Sequence, residues 1–224
     1  MKLLALETAT EACSAAVWVD GVVVERYQLA PRRHAALILP MIEAVLAESG
    51  LVATQLDAIA VGRGPGAFTG VRIAIGIAQG IAFAADLPIA PVSTLAALAL
   101  GAARETGIDC IAAALDARMG EIYWGSYGVA NGAIAWQGDE RVCAPQAVGA
   151  LPPGDWYGAG SGWSSYADAL AQRLGVSRWQ GECYPHAGDV ARLAAAPRGR
   201  HQWVAAERAT PVYLRNEVAS KPSS

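Results

Sequence analysis

Short apolar runs separated by polar turns open the chain, and their order predicts strands before any helix. Leu3-Leu4-Ala5-Leu6 stops at Glu7, Cys13 to Val19 follows, and Asp20-Gly21 separates that run from Val22 to Tyr27. Asp-Gly between apolar runs supplies the positive backbone angles of a tight hairpin turn, so the pattern reads strand, polar turn, strand, hairpin, strand. His34 to Glu48 changes to a helical period, kinked at Pro40 and ended by Gly50. Ala58-Ile59-Ala60-Val61 then returns to a β-type run.

Gly62-Arg63-Gly64-Pro65-Gly66-Ala67-Phe68-Thr69-Gly70-Val71-Arg72 carries that strand into a helix through a glycine-rich turn. Such a turn can present backbone N–H groups to an anion at a helix start, and it can equally serve close packing of backbone on backbone. Its spacing fits neither the Walker A loop, since no Lys-Ser/Thr follows the glycines, nor the dinucleotide fingerprint. Beyond it Gly70, Ala74 and Ala78 recur at intervals of four, as do Gly76, Gly80 and Ala84, which puts two rows of small residues on nearly opposite sides of one helix. Glycine inside a helix costs roughly 1 kcal/mol relative to alanine, so the rows ask for close neighbours. One row can meet a sheet and the other a second subunit; the plainer reading is a helix buried on all sides of one domain.

Composition narrows the class. With 54% of 224 residues hydrophobic and a mean hydropathy of +0.28, the chain can bury a large core in one or two domains. The longest charge-free apolar stretch, Ile73 to Ala85, is shorter than the ~18 residues a bilayer span needs, so no membrane span is expected. Glu7 interrupts the first apolar run before a signal core forms, which makes the cytoplasm the expected compartment. Cys13, Cys110, Cys143 and Cys183 form no CxxC pair, and His34, His186 and His201 are equally scattered, so no zinc or redox motif is present. Seventeen basic residues against 20 acidic ones, net charge −3, exclude the strongly basic surface of a protein that grips nucleic acid alone. The local patch Arg198-Gly199-Arg200-His201 reads as a solvated turn.

The second half echoes the first. Ile111 to Leu115 ends on Asp116, Ala117-Arg118-Met119-Gly120 turns, Glu121 to Tyr127 runs back, and Asn131-Gly132 marks another hairpin. Asp155-Trp156-Tyr157 leads through Gly158-Ala159-Gly160-Ser161-Gly162 into a helix-like Ser164 to Leu174. Two tandem β-β-β-α-β-α units predict a duplicated α/β architecture with mixed sheets. The join falls near Ala102 to Gly107, after a helix capped by Ser93, giving lobes 1–103 and 104–224 with a C-terminal tail free to pack back on the first. A nucleotide would sit between such lobes, with Glu7 and Asp116 turned to its phosphates or a metal-bound water. The alternative is that both acids simply cap hairpin turns.

Leu6-Glu7-Thr8-Ala9-Thr10-Glu11-Ala12-Cys13-Ser14, the glycine segment 62–73, Val92-Ser93-Thr94-Leu95, Leu115 to Tyr123 and Pro211-Val212-Tyr213-Leu214-Arg215 resemble the TsaB (YeaZ) family of bacterial tRNA threonylcarbamoyladenosine biosynthesis proteins. The resemblance spans nearly the whole chain in order, and the glycine motif is specific. It implies the two-lobed actin-like ATPase (ribonuclease-H-like) fold. It also implies a place beside a paralogue, TsaD, and an ATPase, TsaE, in moving a threonylcarbamoyl group from threonylcarbamoyl-AMP to the adenosine 3′ of the anticodon in tRNAs reading ANN codons. By the same resemblance the chain is a homodimer when alone, meets tRNA only through the complex, holds no cofactor by itself, and sees ATP or ADP in the complex. Gly66, Phe68, Gly70, Val71, Ala74, Ile75 and Ala78 become the expected partner surface, and Glu7, Thr8, Thr10, Asp116 and Arg118 the expected phosphate-facing set.

Departures from the pattern decide the expected role. The catalytic paralogue carries an HxxxH metal pair; here the corresponding helix offers His34 alone, in Arg33-His34-Ala35-Ala36-Leu37-Ile38. The wider fold's first turn is Asp-x-Gly-Thr, where glycine lets phosphate approach; Glu7-Thr8-Ala9-Thr10 puts a longer acid and a Cβ there. The expectation is a subunit with no catalytic residues and no metal site. A stand-alone kinase or nucleotide hydrolase of the same fold, a metallopeptidase-like enzyme, and a self-associating scaffold with another client are the competing classes.

Overall fold

The computed structural model describes residues 1–197 and 202–215; the patch at 198–201 lies outside them. Strands β1 (Lys2–Glu7), β2 (Ala12–Val19) and β3 (Val22–Leu29) form the expected meander. Asp20 and Gly21 take φ of 45° and 100° in the hairpin turn, the left-handed geometry that a primed turn requires. Helix α1 (His34–Glu48), strand β4 (Ala58–Gly62), helix α2 (Phe68–Ala85), strand β5 (Ile89–Val92) and helix α3 (Thr94–Thr106) follow. The first sheet has the order β3-β2-β1-β4-β5. β1 is central, antiparallel to β2 and parallel to β4, which is why Leu3 to Leu6 are apolar without alternation: both faces are covered.

The second sheet repeats this plan with β6 (Cys110–Arg118), β7 (Glu121–Ala130), β8 (Ala133–Gln137), β10 (Trp156–Ala159) and β11 (Arg178–Gln180) in the order β11-β10-β6-β7-β8. The duplication is therefore in the hydrogen-bonded topology as well as in the sequence outline. One element differs from the tandem expectation. Where α1 stands in the first unit, the second has β9 (Arg141–Cys143) paired with β7 and a single 3₁₀ turn, Pro145–Ala147. Helix α4 spans Ser161–Leu174, three residues earlier than the sequence pattern indicated, because Gly160 at φ 106° turns the chain directly into it.

The helices are exchanged between lobes. α3, whose cap is Ser93 accepting from the Ala96 amide at 3.3 Å, packs Leu95, Leu98 and Ala102 against Ile111, Ala113 and Tyr127 of the second sheet. α5 (Ala187–Ala195) returns to the first sheet, setting Val190, Ala191 and Ala194 on Leu3, Ala5, Ala16 and Ala60. The boundary expected at 103/104 thus falls inside α3, a helix of the second core. The C-terminal segment also crosses to the first lobe: Ile89 and Val204 exchange both backbone hydrogen bonds, and Gln79 donates to the carbonyls of Ala206 and Ala209.

Candidate functional site

A cleft of about 710 Å³ separates the lobes, lined by Ala9 to Glu11, Arg32 and His34, Gly66 to Phe68, Asp116 to Arg118, Tyr123 and Ser161 among others. It is bordered by the starts of α1, α2 and α4, none of which has a side-chain cap or an acid in its first turn. The positive ends of three helix dipoles therefore border the cleft, together with the Arg32 and Arg118 guanidiniums and the Glu11 and Asp116 carboxylates.

The first turn itself is closed. A Cβ on Gly66 would overlap the Ala9 carbonyl, one on Gly70 the Thr8 carbonyl oxygen, and one on Gly62 the Glu7 carboxylate. The Ala67 amide donates to the Ala9 carbonyl at 2.7 Å, and Thr8 Oγ1 donates to the Gly70 carbonyl at 2.7 Å. Of the two uses open to the glycines, packing is the one realised: the α2 start sits on the turn where a phosphate would lie in a two-lobed nucleotide fold.

Glu7 and Thr8 are correspondingly corrected. Both are fully buried and neither lines the cleft. Glu7 Oε1 accepts from the Ala9 amide at 2.7 Å and Oε2 from Thr94 Oγ1 at 3.1 Å, tying the first strand to the start of α3. Burial raises its pKa to about 7, against the lowering effect of those hydrogen bonds. Thr10, Asp116 and Arg118 do line the cleft. Asp116 caps its own hairpin, accepting from the Arg118 amide at 2.8 Å and pairing with the Arg118 guanidinium at 3.0 Å. The same guanidinium reaches Glu11 at 3.4 Å, so Arg118 spans the cleft from one lobe to the other.

Glu11, Arg32, His34, Tyr123 and Ser161 join the cleft without having been selected from sequence for it. His34 Nε2 lies 3.2 Å from the Ala12 carbonyl and is committed there. Ser161 Oγ accepts from the Asp116 amide at 3.1 Å, which gives it an orienting role. Among the described residues no group of three His, Cys, Asp or Glu side chains is placed to hold a metal.

The partner surface needs a second correction. Gly70, Val71, Ala74, Ile75 and Ala78 are buried in the first lobe's own core, with Leu4, Leu6 and Val61, and cannot face another chain. Gly66 is half-buried on Ala9, and Phe68 stays exposed. The outward row is the other one. Gly76 and Gly80 have open space where a Cβ would be, Ala84 is exposed, and Phe83 beside them is 86% exposed. α2 is also longer than the apolar run suggested: at 18 residues it is long and apolar enough to cross a membrane by length and composition alone, yet its inner row packs as a core helix does.

Comparisons with known proteins agree with this architecture. Residues 20–162 match the family model described as TsaD, tRNA N6-adenosine threonylcarbamoyltransferase. The tRNA threonylcarbamoyladenosine biosynthesis protein TsaB of Escherichia coli (strain K12) is 46% identical, covering 99% of this chain and 97% of its own length; that of Haemophilus influenzae is 41% identical over 99% and 96%. The solved structure of YeaZ from Pseudomonas aeruginosa superposes with a TM-score of 0.89 at 47% identity, covering 95% of this chain and 99% of that one. At these identities over full length, with the two-lobed actin-like fold and the glycine motif in place, the chain belongs to the TsaB (YeaZ) family of tRNA threonylcarbamoyladenosine biosynthesis proteins.

Proposed function

We propose that this chain is a non-catalytic but required subunit of a tRNA threonylcarbamoyl-transfer assembly, with the catalytic TsaD-type paralogue as its direct partner and a TsaE-type ATPase as a further one. The observation that carries this reading is the closed first turn. With the α2 start seated on Thr8 and Ala9 and Glu7 turned inward to Thr94, phosphate has no approach to the turn where this fold holds it. His34 is bound to the Ala12 carbonyl, and among the described residues no second histidine stands beside it with which to hold a metal.

The partner surface in this reading is the exposed stripe of α2: Phe68, Arg72, Gly76, Gly80 and Phe83, with Ala84 at its end. Glycines at four-residue spacing allow a second helix to approach closely, and Phe83 supplies an apolar anchor. The same stripe serves a homodimer when the paralogue is absent. ATP or ADP is taken up only in the assembly, where the three uncapped helix starts can contribute to its charge balance; tRNA is met through the assembly, and the cytoplasm is its place. The test is copurification with the paralogue. Wild type should form a stable complex, Phe83→Glu should lose it with an unchanged circular dichroism spectrum, and the isolated chain should show no ATPase, peptidase or transfer activity. Complex formation unaffected by Phe83→Glu would remove the assigned surface, and turnover by the pure chain abolished in Asp116→Ala would remove the non-catalytic role.

A further inference from the structure

The C-terminal segment, residues 202–215, does more than cover the first sheet's edge. After Val204 and the carbonyls held by Gln79, the Val212 amide donates to the Arg63 carbonyl at 2.9 Å. Tyr213 then lies beside the start of α2. Arg72 Nε donates to its hydroxyl at 2.7 Å, the Arg72 guanidinium lies 3.6 Å over the Phe68 ring, and the Phe68 and Tyr213 rings stack at 5.6 Å. Two residues later Arg215 crosses to the other lobe. Its guanidinium donates to Glu121 at 2.5 Å and to the Arg118 carbonyl at 3.3 Å, both at the tip of the β6–β7 hairpin.

The C-terminal end of this segment therefore holds one residue of the cleft from each lobe. Phe68 lines it from the first lobe and Arg118 from the second. The first grip is made by Arg72, and Arg72 belongs to the exposed α2 stripe, four residues before Gly76. A helix laid along Gly76 and Gly80 at close range covers more than one turn of α2, so it meets Arg72 and Phe68 as well. Arg72 has no acidic partner among the described residues; its contacts are the two aromatic rings and one hydroxyl, a set that an incoming carboxylate or carbonyl can displace.

We propose that residues 202–215 form a clasp across the two lobes, and that docking of the paralogue on the α2 stripe opens it by taking Arg72 away from Tyr213. This rests on the partner reading given above, and it adds a direction of control: partner binding loosens the hold on Phe68 and Arg118, so that the cleft becomes adjustable only in the assembly. The hold on the hairpin tip is a partly buried ion pair, its side chains 18% and 37% exposed, so salt weakens it less than it would a fully exposed pair.

Hydrogen–deuterium exchange by mass spectrometry on the full chain tests it in two arms. In the free chain, Arg72→Ala should speed exchange several-fold at 211–215, where the Val212 amide is protected, and also at 116–123, while β1 and β4 stay at wild-type rates; Arg215→Ala should reproduce the effect at 116–123. An Arg72→Ala chain whose hairpin exchanges as in wild type overturns the clasp. In the second arm the purified paralogue is added to the wild-type chain. Protection gained along residues 76–84 together with protection lost at 211–215 and 116–123 supports the proposal. Protection gained on α2 with those segments unchanged or slower overturns the inference and leaves the partner reading intact. No protection on α2 at all overturns both, whereas the Arg72→Ala result then still reports whether the clasp exists.

Discussion

Replacing Glu7 by glutamine should change how stability depends on pH, and by an amount the structure sets. Glu7 is fully buried, and burial raises its pKa from 4.5 to about 7 despite the Ala9 amide and Thr94 hydroxyl that lower it. The folded protein therefore holds this proton more firmly than the unfolded chain. The stabilisation is complete below the unfolded value near 4.5 and is lost as pH rises through about 7. The gap between the two values corresponds to about 3 kcal/mol. Glutamine keeps the size and the acceptor facing the Ala9 amide, offers its own N–H to the Thr94 hydroxyl, and does not titrate. Urea unfolding of both proteins at half-unit steps from pH 4.5 to 8.5 is the assay. Relative to wild type, Glu7→Gln should gain about 3 kcal/mol between the two ends of that range, the change accumulating steadily from about pH 4.5 to about pH 7 and levelling off above it. Two curves that run parallel across the range would refute the idea that a buried, titrating Glu7 joins the first strand to α3.

Glycine substitutions on α2 should separate its two sides. Gly70→Ala drives a Cβ into the Thr8 carbonyl and should cost roughly 1–3 kcal/mol or prevent folding. Gly76→Ala, with open space around it, should raise stability by about 0.5–1 kcal/mol through helix propensity alone; thermal melts of the two should move in opposite directions. Removing the Arg104 side chain leaves the buried Asp189, whose other ion-pair partner among the described residues is Arg192 at 3.3 Å, short of its closest partner at 2.9 Å. Arg104→Ala should therefore destabilise the α3–α5 contact by roughly 1–3 kcal/mol, read from the urea midpoint, and an unchanged midpoint would count against that pair as a link between the lobes.

Much of the architecture was legible because particular residues leave little choice. Asp20-Gly21 and Asn131-Gly132 demand positive φ at successive positions, and the structure gives 45°, 100°, 52° and 70° there, so both hairpins could be placed from sequence. The repeated outline fixed the duplication for the same reason. The exchange of α3 and α5 was not legible. Both are alanine-rich helices buried on nearly every side, and nothing in such a pattern says which sheet each one meets. The glycine segment was ambiguous in principle, since a phosphate cradle and a backbone-on-backbone contact both exclude Cβ. The resolution lay in Thr8 and Ala9, some sixty residues away. The two rows of α2 were equally undecidable until the position of β4 picked Gly70, Ala74 and Ala78 as the inner one.

The central claim is that this chain is required for threonylcarbamoyl transfer without performing it. Its most direct test is nucleoside mass spectrometry of tRNA after a reaction reconstituted from purified paralogue, ATPase, threonylcarbamoyl-AMP and unmodified tRNA, run with this chain, without it, and with this chain alone. The account predicts threonylcarbamoyladenosine only when the chain and its partners are together. Modified nucleoside formed by the chain alone, or formed equally well when it is left out, would contradict it.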